Sequence, residues 1–441
     1  MKRIQMKELV DWKNSQTRKP LVIKGVRQSG KTWIMKEFGR TEYENFAYFN
    51  FERNENLNSI FDNPSSPQKV IEKLIVVFGE NIYPEKTLII LDEIQKCMKA
   101  YTYLKYFHEE ANEYHIICAG SLLGVTIAET GVEPVGKVEF LYLNPLSFTE
   151  FLIANNEQNY VEYFEKITDI ENIPDEMFHS LINSFKLYLF LGGLPEVLNT
   201  WFVTKNIKSI KKIKESLIIG YINDFRNVKD GQVESKVKEV FNAIPDNLSK
   251  VSKRFNYSSI SKNARKRDYG SAVDWLERAH LIQRSFKKTN PLSSLRSDTD
   301  KDFYRLYFSD TGILTNIYDT AFKNVALDNT ILSDENNALS INYVQNTLCR
   351  LFGETRYWVP EDTKNDRVEM DFLINFEHKT YPIIVNIPLS RKNVNKFKKM
   401  YPNKAEPIIL INDKKLMLND NVFYIPIFLV DFLIYFLNVI K

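Results

Sequence analysis

The segment that most constrains how this chain folds is a glycine-bearing loop at residues 25–32, Gly-Val-Arg-Gln-Ser-Gly-Lys-Thr. An apolar run at residues 21–23 precedes the loop, and a helix-compatible stretch at residues 31–38 follows it. Strand, glycine-bearing loop and helix in this order form a P-loop, in which backbone N–H groups and a helix N-terminus surround phosphate groups. The loop therefore predicts a site that binds ATP.

The loop residues have distinct expected tasks in such a site. Lys31 is predicted to reach the β- and γ-phosphates and to take part in catalysis. The hydroxyl of Thr32 is the expected Mg²⁺ ligand, because this hard cation prefers oxygen. The predicted nucleotide-binding residues are Gly25, Arg27, Gln28, Ser29, Gly30, Lys31 and Thr32.

Two adjacent acids, Asp92 and Glu93, follow the apolar stretch at residues 88–91. A buried strand that ends in acids supplies the second half of an ATP site. Asp92 is predicted to hold Mg²⁺, and Glu93 to polarise the attacking water as a general base. Beyond the next predicted strand, at residues 115–119, Ser121 is a candidate to contact the γ-phosphate or the water, and a simple turn at the strand end is the alternative.

The predicted strands at residues 21–23, 46–51, 87–91 and 115–119 alternate with helical segments. This alternation favours a doubly wound α/β sheet with its ligand at the carboxyl ends of the strands. The composition becomes acidic and rich in Asn at residues 154–176, which indicates a domain boundary. A length of 441 residues, of which 44% are hydrophobic, is typical of a folded chain with about two to four domains.

Charge and cysteine content exclude few functions but indicate a compartment. The 59 basic and 56 acidic residues give a net charge of +3, so a nucleic-acid surface would have to come from local clustering. Three widely spaced cysteines fit neither a disulfide framework nor a zinc site, which favours the cytoplasm. The apolar stretch at residues 422–440 contains Pro426, Asp431 and Asn438, so we expect a buried strand and helix there and no membrane contact.

Several motifs together resemble one family, the prokaryotic AAA-type ATPases with a C-terminal, DUF4143-like domain whose fold is similar to restriction endonucleases. The resemblance covers nearly the whole chain. The matching motifs lie at residues 25–32, 91–95, 119–124, 134–140, 145–148, 192–197, 274–279 and 307–314.

The resemblance implies an architecture. It implies an α/β protein in which a P-loop NTPase parallel sheet with a helical lid precedes a winged-helix module and an α/β nuclease-like domain. The expected domains are the ATPase at residues 1–155, the lid at 156–230, the winged helix at 231–320 and the degenerate nuclease-like domain at 321–441.

AAA-type proteins often stabilise the transferring phosphoryl group with an arginine finger from a neighbouring molecule. Lys137 stands at the corresponding position of this sequence, and Arg27 and Arg226 are alternatives. Lysine is a point charge and lacks the planar fork of arginine, so an ordinary surface lysine is a competing interpretation of Lys137. An oligomer is compatible with this pattern, but the sequence does not establish one.

A basic cluster between residues 250 and 267 contains no acid and lies where the family places its winged helix. We expect this cluster to bind double-stranded DNA through its phosphates. The predicted nucleic-acid-binding residues are Lys253, Arg254, Lys262, Arg265, Lys266 and Arg267. A solvated face or a contact with a protein partner is the alternative.

The C-terminal region departs from the family where a nuclease needs its metal ligands. The family pattern is approximately acid-x-Asp-Phe followed by Pro-Ile-Glu-Val-Lys, and this chain has Glu369 and Asp371 in the first strand. Ile384 and Asn386 stand at the second acid and the lysine, and Ile341 replaces an upstream glutamate. Metal-assisted cleavage needs several such groups, so we expect no nuclease activity.

The sequence therefore predicts an ATP-hydrolysing molecular switch with Mg²⁺ as its cofactor. Two classes of partner stay open: DNA bound by the basic cluster, or a protein, as in a signalling or toxin-type ATPase. A third alternative is a nucleotide-binding scaffold that barely hydrolyses, which the acids Asp92 and Glu93 argue against.

Overall fold

The computed structural model describes residues 1–134, 136–170, 173–226, 231–318, 337–360, 368–385, 390–413 and 416–440. The chain divides into two compact units. The first unit comprises Met1–Pro145 with the short segment Arg278–Leu281, and the second comprises Leu146–Glu277 with Ile282–Lys441.

The first unit alternates strands with helices. Its strands are β1 Leu21–Lys24, β2 Asn45–Asn50, β3 Thr87–Asp92, β4 His115–Ala119 and β5 Glu139–Tyr142. Its helices are α1 Met6–Asn14, α2 Lys31–Glu42, α3 Pro67–Phe78, α4 Met98–Glu110 and α5 Leu123–Thr130. Short 3-10 helices lie at Glu55–Phe61 and Ile94–Lys96.

The five strands of this unit form one parallel sheet in the order β2-β3-β4-β1-β5. Strand β4 therefore lies between β1 and β3, so the loops after these three strands meet at one edge of the sheet. This is the edge where an open α/β sheet binds its ligand. The parallel sheet confirms the predicted α/β class.

The apolar sequence of β3 reflects burial on both faces of the sheet. Leu88 and Ile90 belong to the core formed with α1 and α2, whereas Ile89 and Leu91 belong to the core formed with α3 and α4. Successive strand residues point to opposite faces, so a strand covered by helices on both sides must be apolar throughout. All six residues of β3 are buried.

The second unit has helices before, between and after its strands. These are α6 Phe148–Ala154, α7 Gln158–Glu165, α8 Asp175–Leu191, α9 Pro195–Thr204, α10 Ile207–Phe225, α11 Gly231–Leu248, α12 Lys266–Arg278, α13 Thr311–Ile317, α14 Asn337–Phe352, α15 Ser390–Met400 and α16 Leu433–Val439. Short 3-10 helices lie at Tyr257–Ser259 and Ile427–Phe432.

The strands of the second unit are β6 Ile282–Lys288, β7 Thr299–Phe308, β8 Arg356–Trp358, β9 Met370–Phe376, β10 Lys379–Val385, β11 Ile408–Asn412, β12 Met417–Asn419 and β13 Val422–Pro426. They form one mixed sheet in the order β12-β13-β11-β10-β9-β8-β6-β7. Antiparallel pairing joins β6 to β7, β8 to β9, β9 to β10 and β12 to β13. Parallel pairing joins β6 to β8, β10 to β11 and β11 to β13.

This mixed sheet bears on the predicted domain boundaries. The boundary expected at residues 320 and 321 falls between β7 and β8, which belong to the same continuous sheet. The hairpin β6-β7, which was assigned to the winged helix, therefore belongs to the same sheet as the strands that were assigned to the nuclease-like domain. The stretch at residues 422–440 forms β13, a 3-10 helix and α16, as predicted. Within the described ranges, no helix is both long and apolar enough to cross a membrane.

Candidate functional site

The P-loop connects β1 to α2, and its backbone depends on two glycines. Gly30 has φ 93°, a left-handed conformation, directly before the first turn of α2. Gly25 lies so close to the backbone that an added Cβ would stand 2.3 Å from the carbonyl oxygen of Leu143. A residue with a side chain would be strained at position 30 and would clash with the backbone at position 25.

Lys31 is the first residue of α2, and its side chain lies within the loop. Its Nζ donates hydrogen bonds of 2.9 Å to the carbonyl oxygens of Gly25 and Val26. Burial lowers the pKa of Lys31 to about 8, while the negative charges of Glu93 and Asp92 act in the opposite direction. The ammonium thus lies beside the loop amides that a phosphate would contact.

Thr32 and Asp92 come together although sixty residues separate them in sequence. The Thr32 hydroxyl donates a hydrogen bond of 2.8 Å to Oδ2 of Asp92, which is buried at the end of β3. Tyr48 on β2 donates a second hydrogen bond of 2.8 Å to the same oxygen. Burial and this hydrogen bond are among the causes that raise the pKa of Tyr48 to about 12. A hydroxyl and a carboxylate at hydrogen-bonding distance form a donor set of hard oxygens, which fits Mg²⁺.

Glu93 and Ser121 also meet, because Ser121 follows β4 and β4 is the neighbour of β3. Oε2 of Glu93 accepts hydrogen bonds from the Ser121 N–H at 3.3 Å and from its hydroxyl at 3.1 Å. Glu93 has φ 53°, which is uncommon for a residue with a side chain. Such backbone outliers concentrate at functional sites. The five residues predicted to carry the chemistry therefore lie at one edge of the parallel sheet.

Sequence reasoning missed three polar residues at this edge. Gln95 donates a hydrogen bond of 2.6 Å to Oε2 of Glu93. Tyr48 contacts Asp92, as described above. Arg3 is buried, and its guanidinium donates to the carbonyl oxygens of Ser29 at 2.8 Å and Asn144 at 2.6 Å. Of these three residues, only Gln95 lies in one of the matching motifs, the one at residues 91–95.

The remaining loop residues and the finger candidates have varied surroundings. Ser29 is fully buried, and its hydroxyl has no hydrogen-bond partner among the described residues. Arg27 and Gln28 are exposed, and Arg226 is exposed at the end of α10. Lys137 forms an ion pair of 2.8 Å with Glu109 on α4. This ion pair agrees with the interpretation of Lys137 as a surface lysine.

The predicted nucleic-acid-binding residues separate into one buried and five exposed side chains. Lys253 is 1% exposed, so it is not available to a phosphate in this conformation. Lys266 pairs with Asp302 at 2.6 Å, and the guanidinium of Arg254 lies 3.7 Å from the ring centre of Phe303. The five exposed residues are Arg254, Lys262, Arg265, Lys266 and Arg267. We call these five the basic surface.

Lys253 belongs instead to a cluster of four buried charges in the second unit, which we call the charge cluster. Its Nζ lies 3.2 Å from Asp371 and 3.5 Å from Glu369. Arg305 on β7 completes the cluster, 3.4 Å from Asp371 and 3.1 Å from Glu369. Burial opposes the charge of Arg305, but its neighbours, Glu369 first among them, raise its pKa above the ordinary value. The charge cluster contains two cations and two anions and is electrically balanced.

The charge cluster occupies the place where the family pattern predicts metal ligands. Asp371 also accepts a hydrogen bond of 3.0 Å from the backbone N–H of Val385. Ile384 is buried on β10 and Ile341 is buried on α14, so neither offers a ligand atom. Asn386 lies outside the described residues. The sequence did not predict the pairing of Glu369 and Asp371 with Lys253 and Arg305.

Comparison with known proteins defines the class of the first unit. Residues 17–152 match the family model of an AAA domain. This segment is therefore similar to AAA domains, and it contains the P-loop at residues 25–32. Residues 182–324 match the model of a domain of unknown function, DUF8612. The second match differs from the expected DUF4143-like domain and ends at residue 324, so the nuclease-like assignment of residues 321–441 stays a prediction.

Individual proteins are more distant. The uncharacterized protein MJ1637 of Methanocaldococcus jannaschii is 23% identical over 442 residues, which cover 96% of this chain and 86% of that protein. The Walker-type ATPase paby2304 of Pyrococcus abyssi aligns with a TM-score of 0.43 and 13% identity over 71% of this chain and 94% of its own. The ORC2 protein of Aeropyrum pernix in its ADP form aligns with a TM-score of 0.33 and 13% identity, over 74% and 94%.

Proposed function

We propose that this chain is an AAA-type ATPase that binds ATP with Mg²⁺ and hydrolyses it as a molecular switch. The observation that carries this proposal is the convergence of Lys31, Thr32, Asp92 and Glu93 at the carboxyl edge of β1 and β3. The match of residues 17–152 to an AAA domain supports it.

Each residue has a role that follows from its chemistry. The loop amides and the Lys31 ammonium bind the phosphates and reduce their negative charge. Thr32 and Asp92 would hold Mg²⁺ through their oxygens. Bound Mg²⁺ supplies positive charge to the phosphoryl oxygens. Glu93 takes a proton from the attacking water, and Ser121 holds Glu93 by two hydrogen bonds.

We further propose that the basic surface binds DNA and couples it to ATP turnover. Lys253 is buried, so five exposed cations of the predicted set remain around the start of α12. The order of α11, a 3-10 helix, α12 and the β6-β7 hairpin agrees with the expected winged helix. Contacts to phosphates predict binding without sequence preference and with a steep dependence on salt.

The second candidate partner is a protein with an acidic surface. Lys266 already pairs with Asp302, and Arg267 with Asp268, so an acidic partner must compete with these two carboxylates. A protein partner would leave ATP turnover unchanged when DNA is added.

One experiment separates the two partners. We expect ATP turnover to rise when duplex DNA is added at low salt, and the triple variant Arg265→Ala, Lys266→Ala, Arg267→Ala to lose this rise while its basal turnover persists. A matched control changes three exposed lysines elsewhere, Lys73, Lys208 and Lys212, to Ala. Turnover and DNA binding that respond equally in both triple variants would contradict the assignment.

We also propose that the second unit lacks nuclease activity. The carboxylates Glu369 and Asp371 are engaged by Lys253 and Arg305, so they are not free to hold a divalent cation. Incubation of plasmid DNA with the protein and Mg²⁺ or Mn²⁺ should leave the DNA intact. Cleavage that disappears in Asp371→Ala would overturn this proposal.

A further inference from the structure

Gln95 lies in the motif at residues 91–95, but neither this motif nor the comparisons give it a role. It lies on the 3-10 helix Ile94–Lys96, directly after Glu93. Its carboxamide Nε2 donates a hydrogen bond of 2.6 Å to Oε2 of Glu93 and one of 3.4 Å to the Ser121 hydroxyl. The carboxamide therefore bridges the end of β3 and the end of β4.

The chemistry of the partners fixes the orientation of this carboxamide. An ionised carboxylate only accepts hydrogen bonds, so the NH₂ group of Gln95 must face Glu93. The opposite orientation would set two acceptor oxygens against each other at hydrogen-bonding distance. The Oε1 atom of Gln95 is buried and has no hydrogen-bond partner among the described residues. An unpaired buried oxygen is costly, and it is tolerated here because the NH₂ group is needed on the other side.

The two oxygens of Glu93 consequently differ. Oε2 accepts three hydrogen bonds, one from Gln95 and two from Ser121. Oε1 accepts none from the described part of the chain. Oε2 is thus held in place, and Oε1 can accept a proton. A general base needs this arrangement, because the accepting oxygen must face the water molecule in a fixed direction.

We propose that Gln95 is a positioning residue for ATP hydrolysis that holds Glu93 in its working orientation. This inference rests on the proposed ATPase function. In the step it serves, a water proton passes to Oε1 of Glu93 while the water oxygen forms a bond to the γ-phosphorus. The bond from that phosphorus to the β–γ bridging oxygen breaks, and ADP leaves with its electron pair. Gln95 contacts neither reactant.

Gly120 provides an independent means of moving the same carboxamide. A Cβ added at Gly120 would stand 2.0 Å from Oε1 of Gln95. Gly120 has no left-handed φ, so alanine suits its backbone. The added Cβ would also stand 3.0 Å from Cδ of Gln95 and 3.2 Å from Cβ of Leu123, so the flexible Gln95 side chain must move most and Leu123 only slightly. Gly120→Ala should therefore fold normally and push Gln95 away from Glu93.

The test compares steady-state ATP turnover and thermal melting in Gln95→Met, Gly120→Ala and the control Lys96→Met. Methionine keeps the length of Gln95 but cannot donate, whereas Lys96 is an exposed neighbour that pairs with Glu52. General-base catalysis contributes roughly 10²–10⁴-fold, and we expect the first two variants to lose about tenfold to hundredfold in kcat. KM for ATP and the melting temperature should not change, and Lys96→Met should match the wild type.

A second arm distinguishes positioning from packing. In a Glu93→Gln background, Gln95→Met and Gly120→Ala should cause no further loss of turnover, because they act through Glu93. If the wild type hydrolyses ATP and requires Glu93, but kcat of both variants stays within about twofold of wild type, the role of Gln95 is overturned and the proposed function survives. If Glu93→Gln leaves turnover unchanged, the proposed function fails and the role of Gln95 fails with it.

Discussion

Burial and two nearby acids shift the pKa of the Lys31 ammonium in opposite directions. Burial prevails and lowers its pKa to about 8. Above this pH the side chain is mostly neutral in the nucleotide-free protein, although the proposed function requires it to meet a triphosphate. Phosphate oxygens favour the charged form, so binding of ATP has to raise the pKa of Lys31.

This linkage predicts proton uptake when ATP binds at about pH 9. Isothermal titration calorimetry in two buffers with different ionisation enthalpies should show up to about one proton taken up per site. The affinity for ATP should fall as the pH rises beyond 8. Lys31→Arg is the matched control, because arginine stays charged and should remove the buffer dependence. Equal proton uptake in Lys31→Arg would contradict this account.

His115 makes a second prediction about pH, this time for stability. Burial, followed by the charges of Arg18 and Lys13, lowers its pKa to about 4 in the folded chain. The unfolded chain has the ordinary value of about 6.5, so it binds more protons between these two values. The contribution of His115 to the free energy of unfolding is therefore complete above pH 6.5, and it is lost as the pH falls towards 4.

Thermal melting at pH 7 and pH 5 tests this directly. We expect the melting temperature of the wild type to drop more than that of His115→Phe, which has no titrating group at this position. The phenolic oxygen of Tyr43 lies 2.8 Å from Nδ1 of His115, so Tyr43→Phe is the control for loss of that contact alone. The same drop in the wild type and in His115→Phe would show that another group causes it.

The residues of the candidate site differ in how far the sequence could reveal them. Lys31, Thr32, Asp92 and Glu93 lie in segments whose spacing defines the motif. Tyr48 lies in β2, and its contact with Asp92 depends on the pairing of β2 with β3. Arg3 reaches Ser29 and Asn144 from a distant part of the chain. Such contacts follow from tertiary packing, which no local pattern encodes.

At the scale of elements, the apolar strands were predictable, including β2 at one edge of the sheet, and β5 at the other edge was not. The predicted strands at residues 46–51, 87–91 and 115–119 correspond to β2, β3 and β4 within one residue. β5 was missed because only one of its four residues, Leu141, is buried. An edge strand with exposed side chains carries little hydrophobic signal. Its pairing with β1 is a property of the sheet.

The charge cluster gives a prediction at this scale, because it ties the segment before the 3-10 helix Tyr257–Ser259 to β7 and β9. Lys253→Met leaves two buried carboxylates against one guanidinium, and we expect a loss of about 3–5 kcal/mol in the free energy of unfolding. Lys253→Met combined with Glu369→Gln restores the charge balance between Arg305 and Asp371. The double variant should therefore be more stable than Lys253→Met alone.

Urea unfolding followed by circular dichroism measures all three variants, including Glu369→Gln by itself. The coupling free energy between Lys253 and Glu369 follows from the double-mutant cycle. Additive losses would show that the two side chains do not interact energetically, and the charge cluster would then be a set of independent contacts.

For the whole molecule, the parallel sheet of the first unit was predictable and the organisation of the second was not. The expected boundary at residues 320 and 321 divides one eight-stranded sheet. Parallel pairing of β6 with β8 joins the two expected domains. β6 and β8 are far apart in the sequence, and only their pairing in the structure reveals that they belong to one sheet.

The central claim at this scale is that the described residues of the first unit form a catalytic centre, at which Glu93 is proposed to activate water. The most direct measurement is ATP turnover with Mg²⁺ by the wild type and by Glu93→Gln, together with the affinity of each for ATP. We predict that Glu93→Gln binds ATP as tightly as the wild type but loses about 10²-fold or more in turnover. Turnover that is equal in the two proteins would contradict the claim.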